Sequence, residues 1–374
     1  MRITSKALLG QSPPKLFIKI TTNVLGENVS IAATSPSRWV QKSLAKISAR
    51  HGVHKPRALV VNGEGETLLD WGDTSLPLAL GGLTRLFTLA MVLRDIDRGA
   101  LSLDTAIVDM LPDDLVSGLC VMGKKDHSNT ITIAHLLSHR SGITDYFTPP
   151  GEKSRTLLSQ ITTSDRGWNL QQALEIAKHY PGRFVPGSKN KTQYSATNYL
   201  LLEAVLKETT GMSFEALINL RVVGSLGLKN TYVFGAYSFE RYFSLAPLYQ
   251  SGTVLRAPQA LASSGADGGI VSDAHDTVKF LHAFWRGQFF DQSWCAKLPN
   301  KSISVGRGLE SGLGVTIQPS SAGRPHLMGL ASHSGASAGI NPDTLTIGFI
   351  ATNQMGDPQQ GFSDLSTIVH KSSR

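Results

Sequence analysis

The chain has 374 residues, is 41% hydrophobic and 17% charged, and carries a formal charge of +8 from 36 Lys and Arg against 28 Asp and Glu. These values fit an ordered globular protein, large enough for two lobes around a shared cleft, and exclude a low-complexity or fibrous chain. The basic excess is scattered as single residues and pairs such as Lys124-Lys125, without the basic and aromatic interleaving of a nucleic-acid groove, so no nucleic-acid partner is expected.

Met1 to Gly26 breaks its apolar character with Gln11, Ser12, Pro13, Pro14 and Lys15, which makes a poor secretory signal and leaves a cytoplasmic location as the expectation. No apolar run approaches the roughly 18 residues of a membrane span. Ser35 or Ser37 is a candidate cap for a helix that places Trp39, Val40, Leu44 and Ile47 on one face. Arg57 to Asn62 and Glu66 to Trp71 flank Gly63-Glu64-Gly65 and read as a hairpin. Leu83 to Arg98 repeats Leu86, Leu89, Ala90, Leu93 and Ile96 at helical spacing and closes on Gly99. Further helices are predicted at Ile133 to His139, Leu170 to Tyr180, Asn198 to Thr210 and Phe214 to Val223. Strands are predicted at Leu313 to Gln318, His326 to His333 and Thr344 to Thr352, before a last helix near Phe362 to Lys371. Two cysteines, Cys120 and Cys295, build no disulfide framework in a chain this long and read as free thiols.

Several segments, in order, carry a resemblance. Leu80 to Thr88 reads LGGLTRLFT, and Leu86 to Pro112 continues as a long apolar helix, a Gly turn and a Leu-Asp-rich stretch. Ile131 to Ile143 reads ITIAHLLSHRSGI; Pro186-Gly187 precedes Tyr194-Ser195-Ala196; Gly265 to Ser272 reads GADGGIVS; and His333-Ser334-Gly335 follows an apolar run. This series resembles the serine β-lactamase and penicillin-binding-protein family, on its esterase-like, class C-related side, from about residue 36 to 371. The resemblance implies an α/β fold with an antiparallel sheet flanked by helices, a helical lobe, and an active-site cleft between them. On that pattern residues 1–35 are an N-terminal extension, 36–115 and 266–374 the α/β lobe, and 116–265 the helical lobe, with Gly82 at the cleft floor.

The family's nucleophile segment is Ser-x-x-Lys, and here Gly82 stands at the serine and Arg85 at the lysine. Gly82 cannot form an ester, and a guanidinium stays protonated and makes a poor base. Ser75, Thr84 and Thr88 lie nearby, but Thr84 falls between the two motif positions and projects from another face of the turn. The resemblance places Tyr194 as a proton-transfer group and Ala196 where the family has an asparagine, with Ser195 beside them as a substrate contact. Arg85 either holds an anionic substrate group or forms an internal ion pair, and its approach to Tyr194 would favour a phenolate base. His333 is expected on a strand edge, with its ring and the backbone from Ser334 and Gly335 to Ser337 facing an oxyanion.

His135 and His139 have metal-ligand spacing, but no glutamate follows His135 and no third ligand is suggested, so neither a metal nor a cofactor is expected, and His139 reads as structural. Asp267, Asp273 and His275 are loop residues without a nameable partner. Three functions fit: a non-hydrolytic enzyme acting on an anionic carbonyl compound through Tyr194, Arg85 and His333, with Gly82 making room; a catalytically inactive binding or regulatory protein; and a weak esterase or amidase using water directly. The partner in each case is a small molecule, not a membrane.

Overall fold

The computed structural model describes residues 36–151, 156–320 and 327–373, and the expected extension 1–35 lies outside them. Eight strands form one antiparallel sheet: β1 (Arg57–Val61), β2 (Thr67–Trp71), β3 (Ile303–Gly306), β4 (Leu309–Ser311), β5 (Thr316–Gln318), β6 (Leu327–Ala331), β7 (Ala336–Asn341) and β8 (Thr346–Ala351). Their spatial order is β3-β4-β5-β6-β7-β8-β1-β2, so the predicted hairpin is the outer edge of a sheet completed by the C-terminal third of the chain. Every residue of β1, β6, β7 and β8 is buried, as expected for strands covered on both faces.

Helix α1 (Arg38–Ser48) is capped by Ser37, whose side chain accepts from Val40 N–H. It buries Val40, Ser43, Leu44 and Ile47, whereas Trp39, expected on that face, is 67% exposed. Seven further helices matter here: α2 (Thr84–Asp97), α3 (Ile133–Leu137), α4 (Leu170–Lys178), α5 (Thr197–Thr210), α6 (Gly265–Gly268), α7 (Ala274–Trp285) and α8 (Pro358–Ser372). Helices α1 and α8 cover one sheet face, where Val40, Leu44, Phe362, Leu365 and Val369 pack with Val60 and Ile350. The close fit of α8 needs Gly348, because a Cβ there would run into Val369 and Leu365. Helix α7 covers the other face and joins the larger core that α2 and α5 enter.

Helix α2 is buried around almost its whole circumference, including Thr84, Arg85 and Thr88, and ends with Gly99 at a φ of 74°. The helix predicted at Phe214 to Val223 is α-helical only to Ile218 and continues as a π-helical turn over Asn219–Val223. Strands β3, β4 and β7 are additions to the predicted set; β7 reads Ala-Ser-Ala-Gly-Ile-Asn and lacks the branched alternation that marks a half-buried strand. The strand predicted from Leu313 starts only at Thr316, because Gly312 to Gly314 forms a turn. Cys120 and Cys295 are unpaired. No helix among the described residues is long and apolar enough to cross a membrane.

Candidate functional site

The chain enters α2 through a single 3-10 turn, Gly81–Leu83, with no side-chain cap. Gly81 has a φ of 53°, and a Cβ there would lie 2.5 Å from Ser332 Oγ, so both the backbone conformation and the space require glycine. Gly82 lies on the cavity floor as expected, but it does not leave a vacancy. Arg85 folds back over it: Nε donates to Gly82 O at 2.9 Å, and a Cβ on Gly82 would lie 2.5 Å from Arg85 Nη2. The guanidinium thus occupies the place of the side chain that residue 82 lacks. Gly82 N–H donates to Ser332 Oγ at 2.8 Å.

The nearby threonines are not exposed nucleophiles. Thr84 is fully buried and its Oγ1 accepts from Ile270 N–H at 3.1 Å; Thr88 is fully buried and donates to Ala266 O at 2.8 Å. Ser75 is spent on Asp73 at the surface, 3.0 Å away.

Arg85 is the centre of a polar cluster. Its guanidinium carbon lies 4.7 Å from the centroid of the Tyr194 ring and 5.7 Å from that of Tyr199. Its Nη1 is 3.2 Å from His139 Nε2, and its Nε is 3.9 Å from Asp267 Oδ1. Burial works against the charge, but the facing Tyr194, Asp267, Tyr199 and Asp145 outweigh it, so the arginine pKa rises further. His139 is pushed well below its ordinary value by burial and then by Arg85. The neutral ring stands against the guanidinium at hydrogen-bond distance, so His139, read from sequence as structural, belongs to this cluster.

Asp267, for which the sequence offers no partner, proves to be the pivot. Tyr194 Oη donates to its Oδ1 at 3.3 Å. Burial pushes the Asp267 carboxyl up to about 6; Arg85 and the Tyr194 hydrogen bond oppose the rise, and Asp145 adds to it. Arg85 does approach Tyr194, yet no phenolate follows: desolvation in the cleft and then Asp267 raise the phenol well above its ordinary value, outweighing Arg85. Tyr194 is therefore a neutral donor, and Asp267 is the group that changes charge near neutrality.

Two elements fix this acid. Glu203 on α5 accepts from Ala266 N–H at 2.8 Å and holds the α6 turn, while Thr88 on α2 holds Ala266 O. Asp145 sits across the cavity with its oxygens engaged by Ala196 N–H at 2.9 Å and by the Thr148 N–H and hydroxyl at 2.9 and 2.6 Å.

His333 lies in the turn between β6 and β7, not on a strand, because the two strands end at Ala331 and restart at Ala336. Its ring centroid is 6.4 Å from that of Tyr194, and desolvation followed by the Arg85 charge lowers its pKa. The turn's amides are not open to an oxyanion: Ser334 N–H donates to Ser332 Oγ at 3.1 Å and Gly335 N–H to Ser332 O at 3.0 Å. Ser334 lines the cavity, and its hydroxyl lies 3.0 Å from Ser332 Oγ and donates to Leu80 O at 3.2 Å.

Ser195, Ala196 and Gly335, expected as substrate contacts, line neither cavity. Ser195 and Ala196 are buried behind Tyr194 where α5 begins, and Gly335 packs so closely on the chain after β8 that a Cβ would lie 2.5 Å from Thr352 Oγ1.

A front cavity of about 450 Å³ opens over Gly82, Arg85, Asp145, Tyr194, Asp267 and His333. A rear cavity of about 240 Å³ lies on the other side of Arg85, Tyr194 and His333, which form the shared wall. His135 stays in the capping box of α3, with its Nδ1 accepting from Thr132 N–H at 3.2 Å. No group of three or more His, Cys, Asp or Glu among the described residues is placed to hold a metal. Asp273 caps α7, and His275 contacts Thr74 at 3.1 Å, both away from the cavity.

The eight-stranded antiparallel sheet, its flanking helices and the cleft over the start of α2 define an α/β fold of the β-lactamase and transpeptidase type. Residues 58–370 match the family described as Beta-lactamase, and the chain belongs to that family. It is 26% identical over 204 residues to penicillin-binding protein 4 of Amycolatopsis lactamdurans, a match covering 54% of this chain and 48% of that protein. It is 28% identical over 127 residues to a putative D-alanyl-D-alanine carboxypeptidase of Escherichia coli O157:H7, covering 32% of this chain and 27% of that one. The match thus spans about half of the first relative and about a quarter of the second.

Among solved structures, a D-stereospecific amidohydrolase from Streptomyces sp. superposes with a TM-score of 0.71 at 22% identity, covering 86% of this chain and 96% of that one. The octameric penicillin-binding protein homologue from Pyrococcus abyssi gives 0.70 at 18% identity, covering 87% and 75%.

Proposed function

We propose that this protein is an enzyme of proton transfer at the carbon beside a carbonyl group, working without an acyl-serine. One observation carries the reading: Asp267, on the wall of an open cavity, titrates at about 6 and stands 3.3 Å from a neutral phenol and 3.9 Å from a fixed cation. A general base is most effective with a pKa near the working pH.

In the step, Asp267 takes the proton from the carbon adjacent to the carbonyl. The C–H electron pair becomes a C=C bond, and the carbonyl π electrons move to oxygen, where Arg85 Nη2, without an acceptor among the described residues, meets the enolate. Return of the proton to the same carbon, or to another position of the enolate system, restores the carboxylate. Negative charge passes from Asp267 to the enolate beside one guanidinium, so the cation is balanced throughout. This favours an uncharged carbonyl group at that point over the anionic group expected from Arg85 alone, which would compete with Asp267. Tyr194 holds Asp267 by its hydrogen bond, and the neutral His333 ring faces the substrate from the opposite turn.

The esterase reading is weakened because the amides of Gly82 and Ser334 both donate to Ser332 Oγ, leaving no ready pair for a tetrahedral oxyanion. The test is exchange of α-protons for deuterium in D2O across a panel of ketones, restricted to those shown by saturation-transfer NMR to bind. Exchange that falls about 10²- to 10⁴-fold in Asp267→Asn while binding persists supports the reading. Binders that exchange no faster than in buffer overturn it and leave a binding protein.

A further inference from the structure

The front cavity is polar at its floor and mostly apolar over the rest of its wall, with Thr148 and Arg256 among the exceptions. From Arg85 and Asp267 the lining continues through Leu245, Leu248 and Leu255 to Val254 and Phe243, which are 38% and 78% exposed. Exposed apolar side chains scattered singly are ordinary, whereas apolar side chains continuous with a cavity wall mark a contact surface. These are also held in place. Ala246 N–H donates to Pro77 O at 2.8 Å, and Tyr249 N–H to Asn353 O at 2.9 Å. The Tyr242 hydroxyl donates to Leu255 O at 3.1 Å and accepts from Ala257 N–H at 2.8 Å, tying the 3-10 segment Ala236–Ser244 to the short hairpin Leu248–Gln250 and Thr253–Leu255.

A ligand with only a carbonyl head leaves this wall in water. The rear cavity, at about 240 Å³, is below the usual size for a whole ligand and takes only a short substituent past the shared Tyr194 wall.

We infer that the substrate is a neutral amphiphile: a carbonyl head at Arg85 and Asp267, a short group toward the rear cavity, and a straight aliphatic tail lying along the front wall out to Phe243. The head rests on the proton-transfer reading, whereas the tail is read from the wall itself.

Calorimetric titration of the full chain with 2-pentanone, 2-heptanone and 2-nonanone tests this without requiring turnover. Each buried methylene is worth about 0.8 kcal/mol, so affinity rises three- to fourfold per added carbon. Phe243→Ser and Val254→Ser alter exposed side chains at the mouth, Phe243 giving up an edge contact with the Tyr242 ring at 5.8 Å, and they flatten the gain for the longest ketone while leaving 2-pentanone unchanged. Equal affinity along the series, or the same steep series in both variants, overturns the inference. A steep series without α-proton exchange upholds the ligand class and removes the proton-transfer reading; exchange of 2-pentanone with a flat series does the reverse.

Discussion

Two short helical turns meet at the cavity floor, Leu80 to Arg85 and Ser264 to Gly269, and they are furnished in opposite ways. In the first, Gly82 N–H is taken by Ser332, Gly82 O by Arg85 Nε and Leu80 O by the Ser334 hydroxyl, while the guanidinium fills the side-chain space. In the second, the backbone is clamped by Glu203 and Thr88, yet the Asp267 carboxylate receives one hydroxyl bond of 3.3 Å and a cation at 3.9 Å. A carboxylate so poorly served in a buried place keeps its proton longer, which is what brings its titration toward neutrality. The turn that resembles a nucleophile's seat is therefore occupied by structure, and its neighbour holds the carboxyl pushed up to about 6.

The sharpest way to break this comparison is through stability. The folded Asp267 carboxyl, at about 6, binds its proton more tightly than the unfolded one at 3.8, so its favourable contribution is full below 3.8 and is lost as pH rises through about 6. Asp267→Asn leaves Arg85 unpaired at every pH, which adds a constant offset, so the pH dependence of the difference isolates the titration. Between pH 4 and pH 7 the stability of the wild type relative to Asp267→Asn is expected to fall by about 2 kcal/mol, because a tenfold tighter hold on a proton is worth about 1.4 kcal/mol and the contribution is not yet full at pH 4. Urea unfolding across that range measures it, and a flat difference would mean the carboxylate is as well solvated as one on the surface.

The first turn is probed next. If Arg85 fills the place of a residue-82 side chain, Gly82→Ala must drive Nη2 away, since the new Cβ would lie 2.5 Å from it. Gly82→Ala and Arg85→Gln are each expected to weaken ketone binding about tenfold, the worth of a charge-assisted hydrogen bond at the low end of its range. The double variant should be no weaker than Arg85→Gln alone, because both changes remove one contact. Additive losses in titration calorimetry would show that glycine and arginine act separately.

Most of the fold was legible because it follows periodicity: α2 and α5 and the strands β1, β2, β6 and β8 begin and end close to where apolar spacing puts them, whereas α8 starts a turn earlier than expected, at Pro358. Strand β7 was not, since small residues buried on both faces carry no alternation, and Trp39 was misplaced because one turn of helix reads the same with its edge in solvent. Tyr194, Arg85, Gly82 and His333 were singled out by their place in motifs, and all four line the front cavity. Asp267 was visible only as an acid between glycines, and its meaning comes from α5 and α2, far away in sequence. Asp145 and Ser332 carried no local signal at all: each matters for which backbone amides it satisfies, and that is fixed only by the tertiary path of the chain.

The smallest expected effect is also the most discriminating between the two partners of Asp267. Tyr194→Phe removes a long hydrogen bond of 3.3 Å from a neutral donor to the carboxylate, and its length keeps the loss at the low end of about 0.5–1.5 kcal/mol. The acid limb of the exchange rate should then move up by about half a pH unit, with the plateau above it lowered no more than a few-fold. A drop of 10²-fold or more on the plateau would instead assign the phenol to the substrate oxygen, as general acid in its own right. A downward shift would sink the present account of the site, for it would mean that removing the hydroxyl let water reach Asp267 and that enclosure by Tyr194, rather than its hydrogen bond, governs the acid. ¹³C-detected titration of the Asp267 carboxyl in both proteins separates the three, because only the first outcome leaves its pKa above that of the wild type while the plateau is nearly unchanged.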